Sequence, residues 1–206
     1  MIFCYSVGER GFLYMTNENE CIDPILLDCP MPIITERLQL RPVSPGDGIS
    51  MFEAADESMD SLKEWFDWAH LITDSTGLEK TAREFYAQFI LRKEFHLLAF
   101  LNQKLVASVS LHHVDWEIKS SEIGYWVRAS ERGNRYASEM VAAISLYAFN
   151  FLQLKKLLIV VDEENISSIK IAERSGFKLE TRALGLCSKP GDPNLRMGRC
   201  YVMYKE

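Results

Sequence analysis

Long apolar runs are missing from this sequence. No stretch approaches the ~20 residues that a membrane-spanning helix needs, so a helical membrane protein is not expected. The five cysteines, Cys4, Cys21, Cys29, Cys187 and Cys200, form no C-x-x-C pair and show no zinc spacing. An odd number of scattered thiols excludes a disulfide scaffold and points to a reducing, cytoplasmic setting. The first fifteen residues lack a basic n-region and carry Glu9 and Arg10, unlike a secretory signal. Basic charge is also scarce: 23 Lys+Arg against 29 Asp+Glu give a net charge of −6. That balance argues against nucleic acid as a partner and favours a cationic one, such as an amine or a basic peptide.

Rival phosphate and metal motifs are absent too. There is no G-x-x-x-x-G-K-[ST], and Gly46 and Gly48 form a lone G-x-G with no third glycine in register. H-E-x-x-H does not occur. His112 and His113 are adjacent on an expected strand, where successive side chains point to opposite faces. No metal site is therefore expected.

The 206 residues are 48% apolar and 25% charged, proportions of a soluble globular chain long enough to bury a core without staples. Residues 1–33 differ from the rest: an aromatic, strand-like start, a polar stretch, then Pro24, Pro30 and Pro32. They read as an extension, with the domain proper over 34–206. Alternation predicts strands over 35–41, 95–101, 104–112 and 121–127, the second and third joined by Asn102-Gln103 as a hairpin. Helices are expected from Asp47, as cap, to about 57, then over 61–68, 78–93, 135–152 and 166–175, the last closed by Gly176. The apolar run 156–161 reads as a strand buried on both faces. Two late strands, 177–183 and 199–204, flank a loop with Pro190, Gly191 and Pro193. The fold class is α/β with a mixed sheet.

The stretch 121–161 is a βαβ unit whose first turn reads Arg132-Gly133-Asn134-Arg135-Tyr136-Ala137-Ser138. A Gly-containing basic loop entering a helix offers unpaired N–H groups to an anion, and Arg132 and Arg135 add charge. A solvated loop with two surface arginines is the plainer alternative. Glu122 lies in an otherwise apolar strand, where a carboxylate is costly unless partnered. Burial is expected to raise its pKa towards that of a working general base; a Glu merely paired to a nearby Arg is the alternative. Trp65, Trp68, Trp116 and Trp126 could line a cleft or pack a core. The acidic run 56–67 could draw in a cation or be a solvated helix face.

Residues 35–42, Thr-Glu-Arg-Leu-Gln-Leu-Arg-Pro, resemble the opening strand of RimJ/RimL-type members of the GNAT superfamily of N-acetyltransferases. Residues 122–127, Glu-Ile-Gly-Tyr-Trp-Val, resemble their central strand. The loop from Arg132 to Ala137, continued by Ser138-Glu139, is similar to their coenzyme A pyrophosphate loop. Asn165-Ile166-Ser167-Ser168 and Arg174-Ser175-Gly176-Phe177 look like the next block. Together the four ordered motifs cover about 34–180. Arg135 departs from the pattern, standing where the family loop carries a glycine. A side chain there either crowds the approach to the pyrophosphate or adds a salt bridge to it.

The resemblance implies a GNAT fold, a mostly antiparallel mixed sheet with splayed central parallel strands flanked by helices. It implies acetyl-CoA as co-substrate and an amine acceptor, either a small molecule or a protein N-terminus, in a monomer or homodimer. Tyr125, Trp126 and Val127 would hold the pantetheine arm, and Arg132, Gly133, Asn134, Arg135, Tyr136, Ala137 and Ser138 the diphosphate. Asn165 and Ser168 would contact the pantetheine or acetyl region, although Asn165 also suits a helix cap. Glu122 would be a water-assisted general base. Ser168 would be the general acid, with Tyr201 and Tyr204 in reserve or simply in the core.

An α-amine, with pKa about 7.8, is deprotonated at neutral pH at roughly 3.5 kcal/mol less cost than a lysine at about 10.4. One modest base therefore suits a protein N-terminus, of the ribosomal-protein Ser/Ala type that the resemblance also suggests. Polyamines or an antibiotic amine are alternative acceptors. A non-catalytic acyl-CoA-binding module and a nucleotide-binding protein are the rival classes.

Overall fold

Strand alternation sets the centre of the molecule. In β5 (Phe95–Leu101) and β6 (Lys104–Asp115), Phe95, Leu97, Ala99, Ala107, Val109 and Leu111 fall on one face and join a single buried cluster. The hairpin between the two strands turns at Asn102 and Gln103, both with positive φ (48° and 68°). That backbone matches the right-handed twist of the paired strands. The computed structural model describes residues 23–205, preceded by two short antiparallel strands, β1 (Ser6–Val7) and β2 (Leu13–Tyr14). Sheet partners on either side are β3 (Ile33–Ile34), β4 (Gln39–Pro42), β7 (Ser120–Val127), β8 (Lys156–Asp162), β9 (Lys178–Lys189) and β10 (Asp192–Tyr204). The eight-stranded sheet runs β3-β4-β5-β6-β7-β8-β10-β9 and is antiparallel except for β7 beside β8.

Helix α4 (Tyr136–Asn150) lays Met140, Val141, Ile144 and Ala148 on the face with Ile123 and Val109. Helix α5 (Ile166–Arg174) packs beside it with Ile169 and Ala172 and ends at Gly176, φ 88°. The opposite face is covered by α1 (Gly48–Asp56), α2 (Met59–Trp65) and α3 (Ser75–Ile90), which enclose a second cluster around Ala54, Leu62, Ala82 and Leu98. The expected α/β mixed sheet is therefore present, with its central strands covered on both faces.

Three local expectations need correction. The strand expected over 35–41 is broken: Thr35 folds back, its N–H donating to the Leu38 carbonyl at 2.9 Å and its Oγ1 accepting from the Leu38 N–H at 2.8 Å. Asp47 precedes α1 but makes no capping hydrogen bond; its buried carboxylate instead accepts two 2.7 Å bonds from Arg41 and one from the Ser44 N–H. The loop expected after 183 is a long hairpin, with only Pro190 and Gly191 outside β9 and β10. Side chains of its outer part fasten it: Arg196 reaches Asp162 at 2.8 Å and Glu164 at 2.6 Å, and Lys189 lies 4.6 Å over the Trp65 ring of α2.

The parallel pairing of β7 with β8 is short. It covers Ser120–Lys156, Ser121–Leu157 and Glu122–Leu158, and then stops. From there β7 follows β6 to the Ala107–Val127 pair, while β8 follows β10 to the Asp162–Gly198 pair. The two strands thus splay beyond Glu122. A splay at the carboxyl ends of central parallel strands is where ligands enter open α/β sheets.

Candidate active site

On one side of the splay, β7 leads through a short turn into α4. Gly133 and Arg135 both adopt left-handed backbone, with φ 82° and 64°, and Arg135 is the residue immediately before the helix. A glycine reaches that conformation freely, whereas an L side chain strains it. This is why a glycine suits position 135, and why Arg135, though exposed, sits there at a cost. The amides of residues 133–138 have no hydrogen-bond partner among the described residues. Successive free N–H groups at a helix start form an anion site. The Arg135 side chain is exposed, while Arg132 turns away to Ser61 and the Asn134 side-chain amide donates to the Glu131 carbonyl at 3.1 Å. Ala137 and Tyr136 are buried, the latter under the Arg37 guanidinium at 4.7 Å.

The motif residues before β4 position this helix start. Glu139, in the first turn of α4, accepts from Thr35 Oγ1 at 2.5 Å, the Arg37 N–H at 3.0 Å and Arg37 Nε at 2.8 Å. Burial acts to raise its pKa, but these partners outweigh it and hold the carboxyl below its ordinary value. Glu57, at the end of α1, secures the preceding turn by accepting from the Ser130 N–H at 2.7 Å and Arg128 Nε at 2.5 Å.

On the other face a cavity of about 540 Å³ opens between the sheet and α1, α3 and the segment 66–72. Its walls include Met51, Phe66, Trp68, Leu78, Phe85 and Trp126, and its floor is His96, Ser108, Ser110, His112 and Gly124. No lining residue is a carboxylate. His96 stacks on Phe85, ring centroids 3.6 Å apart, and bonds Glu94 at 2.7 Å. Burial holds His96 below the usual imidazole range, although Glu94 pulls the other way. Trp65 and Trp116 lie elsewhere, the first under Lys189 and the second against the other core cluster with its N–H on the Arg92 carbonyl.

Glu122 stands where the splay begins, opposite His112 in the β6–β7 ladder. His112 Nε2 is 3.5 Å from one carboxylate oxygen and His113 Nδ1 is 3.3 Å from the other. The two histidines therefore do not diverge as a regular strand would require. His113 has φ 51°, and the ladder skips between His112 and Asp115, a bulge that brings both rings towards Glu122. The expectation for Glu122 also needs correction: burial raises its pKa, but hydrogen bonding and charge from His112 and His113 win, and the carboxyl lies below its ordinary value. Its partners are imidazoles rather than an arginine.

Across the splay, the Tyr125 hydroxyl meets Ser168 Oγ at 2.8 Å, linking β7 to α5. Burial pushes the Tyr125 hydroxyl up to about 12. Asn165 caps α5, its Oδ1 accepting from the Ser168 N–H at 3.1 Å. Trp126 and Val127 lie on the β7 edge released by the splay. Tyr201 is apart from this group: it is fully buried and donates to Glu173 at 3.0 Å. Tyr204 is exposed and bonds Glu180. His96, Ser108 and Ser110 were missed from sequence. Their signal is a run of polar residues at alternate positions, on the face of β5 and β6 opposite the main core.

A helix start with free amides on one side of a splayed sheet and a cavity lined by His96 and His112 on the other leave room for two substrates. The profile of the acetyltransferase (GNAT) domain matches residues 37–178. The chain belongs to that family: it is an acetyltransferase, and the donor of GNAT enzymes is acetyl-CoA. Among relatives, YdaF of Bacillus subtilis (strain 168) is 24% identical over 151 residues, covering 73% of this chain and 82% of YdaF. The ribosomal-protein-serine acetyltransferase of Escherichia coli (strain K12) is 21% identical over 150 residues, covering 71% and 82%. Among solved structures, RimL, a ribosomal L7/L12 α-N-protein acetyltransferase in complex with coenzyme A, superposes with a TM-score of 0.79 at 18% identity, over 84% of this chain and 98% of RimL. That likeness establishes the fold. No described helix is long and apolar enough to cross a membrane.

Proposed function

We propose that the protein transfers the acetyl group of acetyl-CoA directly to the N-terminal α-amine of a protein or peptide, in residues 34–206, with Glu122 as the base. The observation that carries this is Glu122 itself: an ionised carboxylate at the root of the splay, 3.5 Å from His112, which lines the acceptor cavity. A proton leaving an amine in the cavity has a route to that carboxylate past His112, through a water. The amides of 133–138 and the free edge of β7 hold the donor in line. Such positioning supplies on the order of 7–11 kcal/mol of the barrier. Tyr125 keeps its proton at neutral pH and can donate through Ser168 where the thiol departs. The E. coli relative, named for acetylating a ribosomal-protein serine, supports a protein N-terminus of that type. Free Cys29, Cys187 and Cys200 accord with a reducing, cytoplasmic location.

The cavity walls favour one second reading. They are apolar and carry no carboxylate, which disfavours polyamines and suits a small apolar amine. A panel separates the two: peptides beginning with free Ser or Ala, the same peptides N-acetylated beforehand, and small aromatic or aliphatic amines. Turnover on free N-termini, lost on blocking, is expected. Turnover confined to the small amines would overturn the N-terminal reading.

A further inference from the structure

We infer that His112, His113 and Glu122 form a binding site for a first-row divalent metal ion, zinc in the first instance, and that filling it switches acetyl transfer off. The three residues each present one ligand atom, and those atoms lie within 4.8 Å of one another. The two N···O separations, 3.5 and 3.3 Å, exceed the ~2.7–2.9 Å of a charge-assisted hydrogen bond. They run to the two different oxygens of Glu122, and the three ligand atoms span up to 4.8 Å against a tetrahedral edge of about 3.3 Å for ligands at 2.0–2.1 Å, so the solvent-facing His113 ring must swing inward to close on an ion. Two imidazoles and one carboxylate are a zinc-type donor set that leaves a fourth position open.

The backbone is shaped to make this cluster. Adjacent residues on a flat strand cannot both reach one carboxylate. Here the bulge and the left-handed His113 bring them together, and the His113 side chain, 77% exposed, touches the His112 ring and Glu122. Ser110 Oγ lies 3.3 Å from His112 Nδ1, an outer partner that fixes which nitrogen faces the ligand. An ion held here occupies the Glu122 carboxylate and His112 Nε2 together. The inhibitory half of the inference rests on Glu122 being the base; the binding half does not.

The test uses untagged full-length protein freed of metal with a chelator. Titration calorimetry with zinc chloride should show one ion per chain, and cobalt(II) should give the visible absorption of a tetrahedral site. His113→Asn removes the imidazole while retaining a residue that tolerates left-handed backbone. It should weaken zinc more than about 10-fold and abolish the cobalt spectrum. No binding by the parent protein, or equal affinity in the variant, overturns the site. Zinc should then inhibit acetyl transfer with the same midpoint as binding, and His113→Asn should shift that midpoint upward in proportion. Full turnover at saturating zinc overturns the switch while leaving the site intact. An unimpaired Glu122→Gln enzyme would instead count against the base assignment alone.

Discussion

The two sides of the splay are built differently. The proposed donor side is mainly backbone: the amides of 133–138 and the edge of β7 released when pairing with β8 stops at Glu122. It comes from one contiguous stretch of chain. The proposed acceptor side is made of residues from β5, β6, β7, α1, α3 and the segment 66–72, brought together only by the fold. A site made of backbone amides depends less on side-chain identity, and Arg135 stands in it at a left-handed position. A side-chain site should be sensitive to single substitutions. The donor would thus stay fixed while the acceptor varies.

The sharpest break of that contrast is Glu122→Gln. Loss of a general base should lower kcat by at least about 100-fold, with acetyl-CoA affinity by calorimetry unchanged. An unaltered kcat would remove Glu122 from the mechanism. Gly124→Ala comes next. A Cβ there would sit 3.0 Å from His112 Cε1 and 3.1 Å from Ser110 Oγ, so His112 must shift. Acceptor kcat/KM should fall about 10-fold, the scale of one misfitted methyl in a binding site, again without loss of acetyl-CoA binding. Weakened acetyl-CoA affinity in either variant would show that the two sides are not separable.

This contrast also explains what could be read from the sequence. The βαβ unit, the 132–138 loop and the Asn165–Ser168 block are local, so periodicity and short motifs found them. The β5–β6 hairpin was equally legible, because Asn102-Gln103 is a turn in its own right. The acceptor cavity was not, since His96 and His112 are adjacent only through strand register. The pairing of His112 and His113 on Glu122 was misread for a physical reason: alternation holds only while the ladder is regular, and a bulge has no clear mark in a single sequence. Asp47 was misread as a helix cap because Arg41, six residues earlier, competes for the same carboxylate.

A smaller effect tests the donor side. Arg135→Gly and Arg135→Ala both remove the guanidinium, but only glycine relaxes at φ 64°. The glycine variant should be the more stable of the two by about 1 kcal/mol, read from urea unfolding. Both should show a shallower salt dependence of acetyl-CoA binding than the parent, because each lacks one positive charge of the loop proposed to take the diphosphate. Equal stability would mean that the left-handed residue carries no strain.

The smallest expected effect lies at the joint between the two sides. Glu57, from α1 on the acceptor face, holds the turn that leads to the donor loop. The hydrogen bond from Ser130 first, and Arg128 beside it, draw its pKa down from 4.5 to about 2. A carboxyl lowered on folding stabilises the native state fully above its unfolded pKa, and that contribution drains away as pH falls towards the folded one. Glu57→Gln should therefore cost stability at neutral pH, by less than about 1 kcal/mol for a partly exposed pair. The gap from the parent should shrink between pH 4.5 and about 2. Urea midpoints at neutral and acid pH measure it. If stability holds while acetyl-CoA affinity drops, Glu57 instead couples the acceptor face to the donor loop, and occupancy of one side would then be felt at the other.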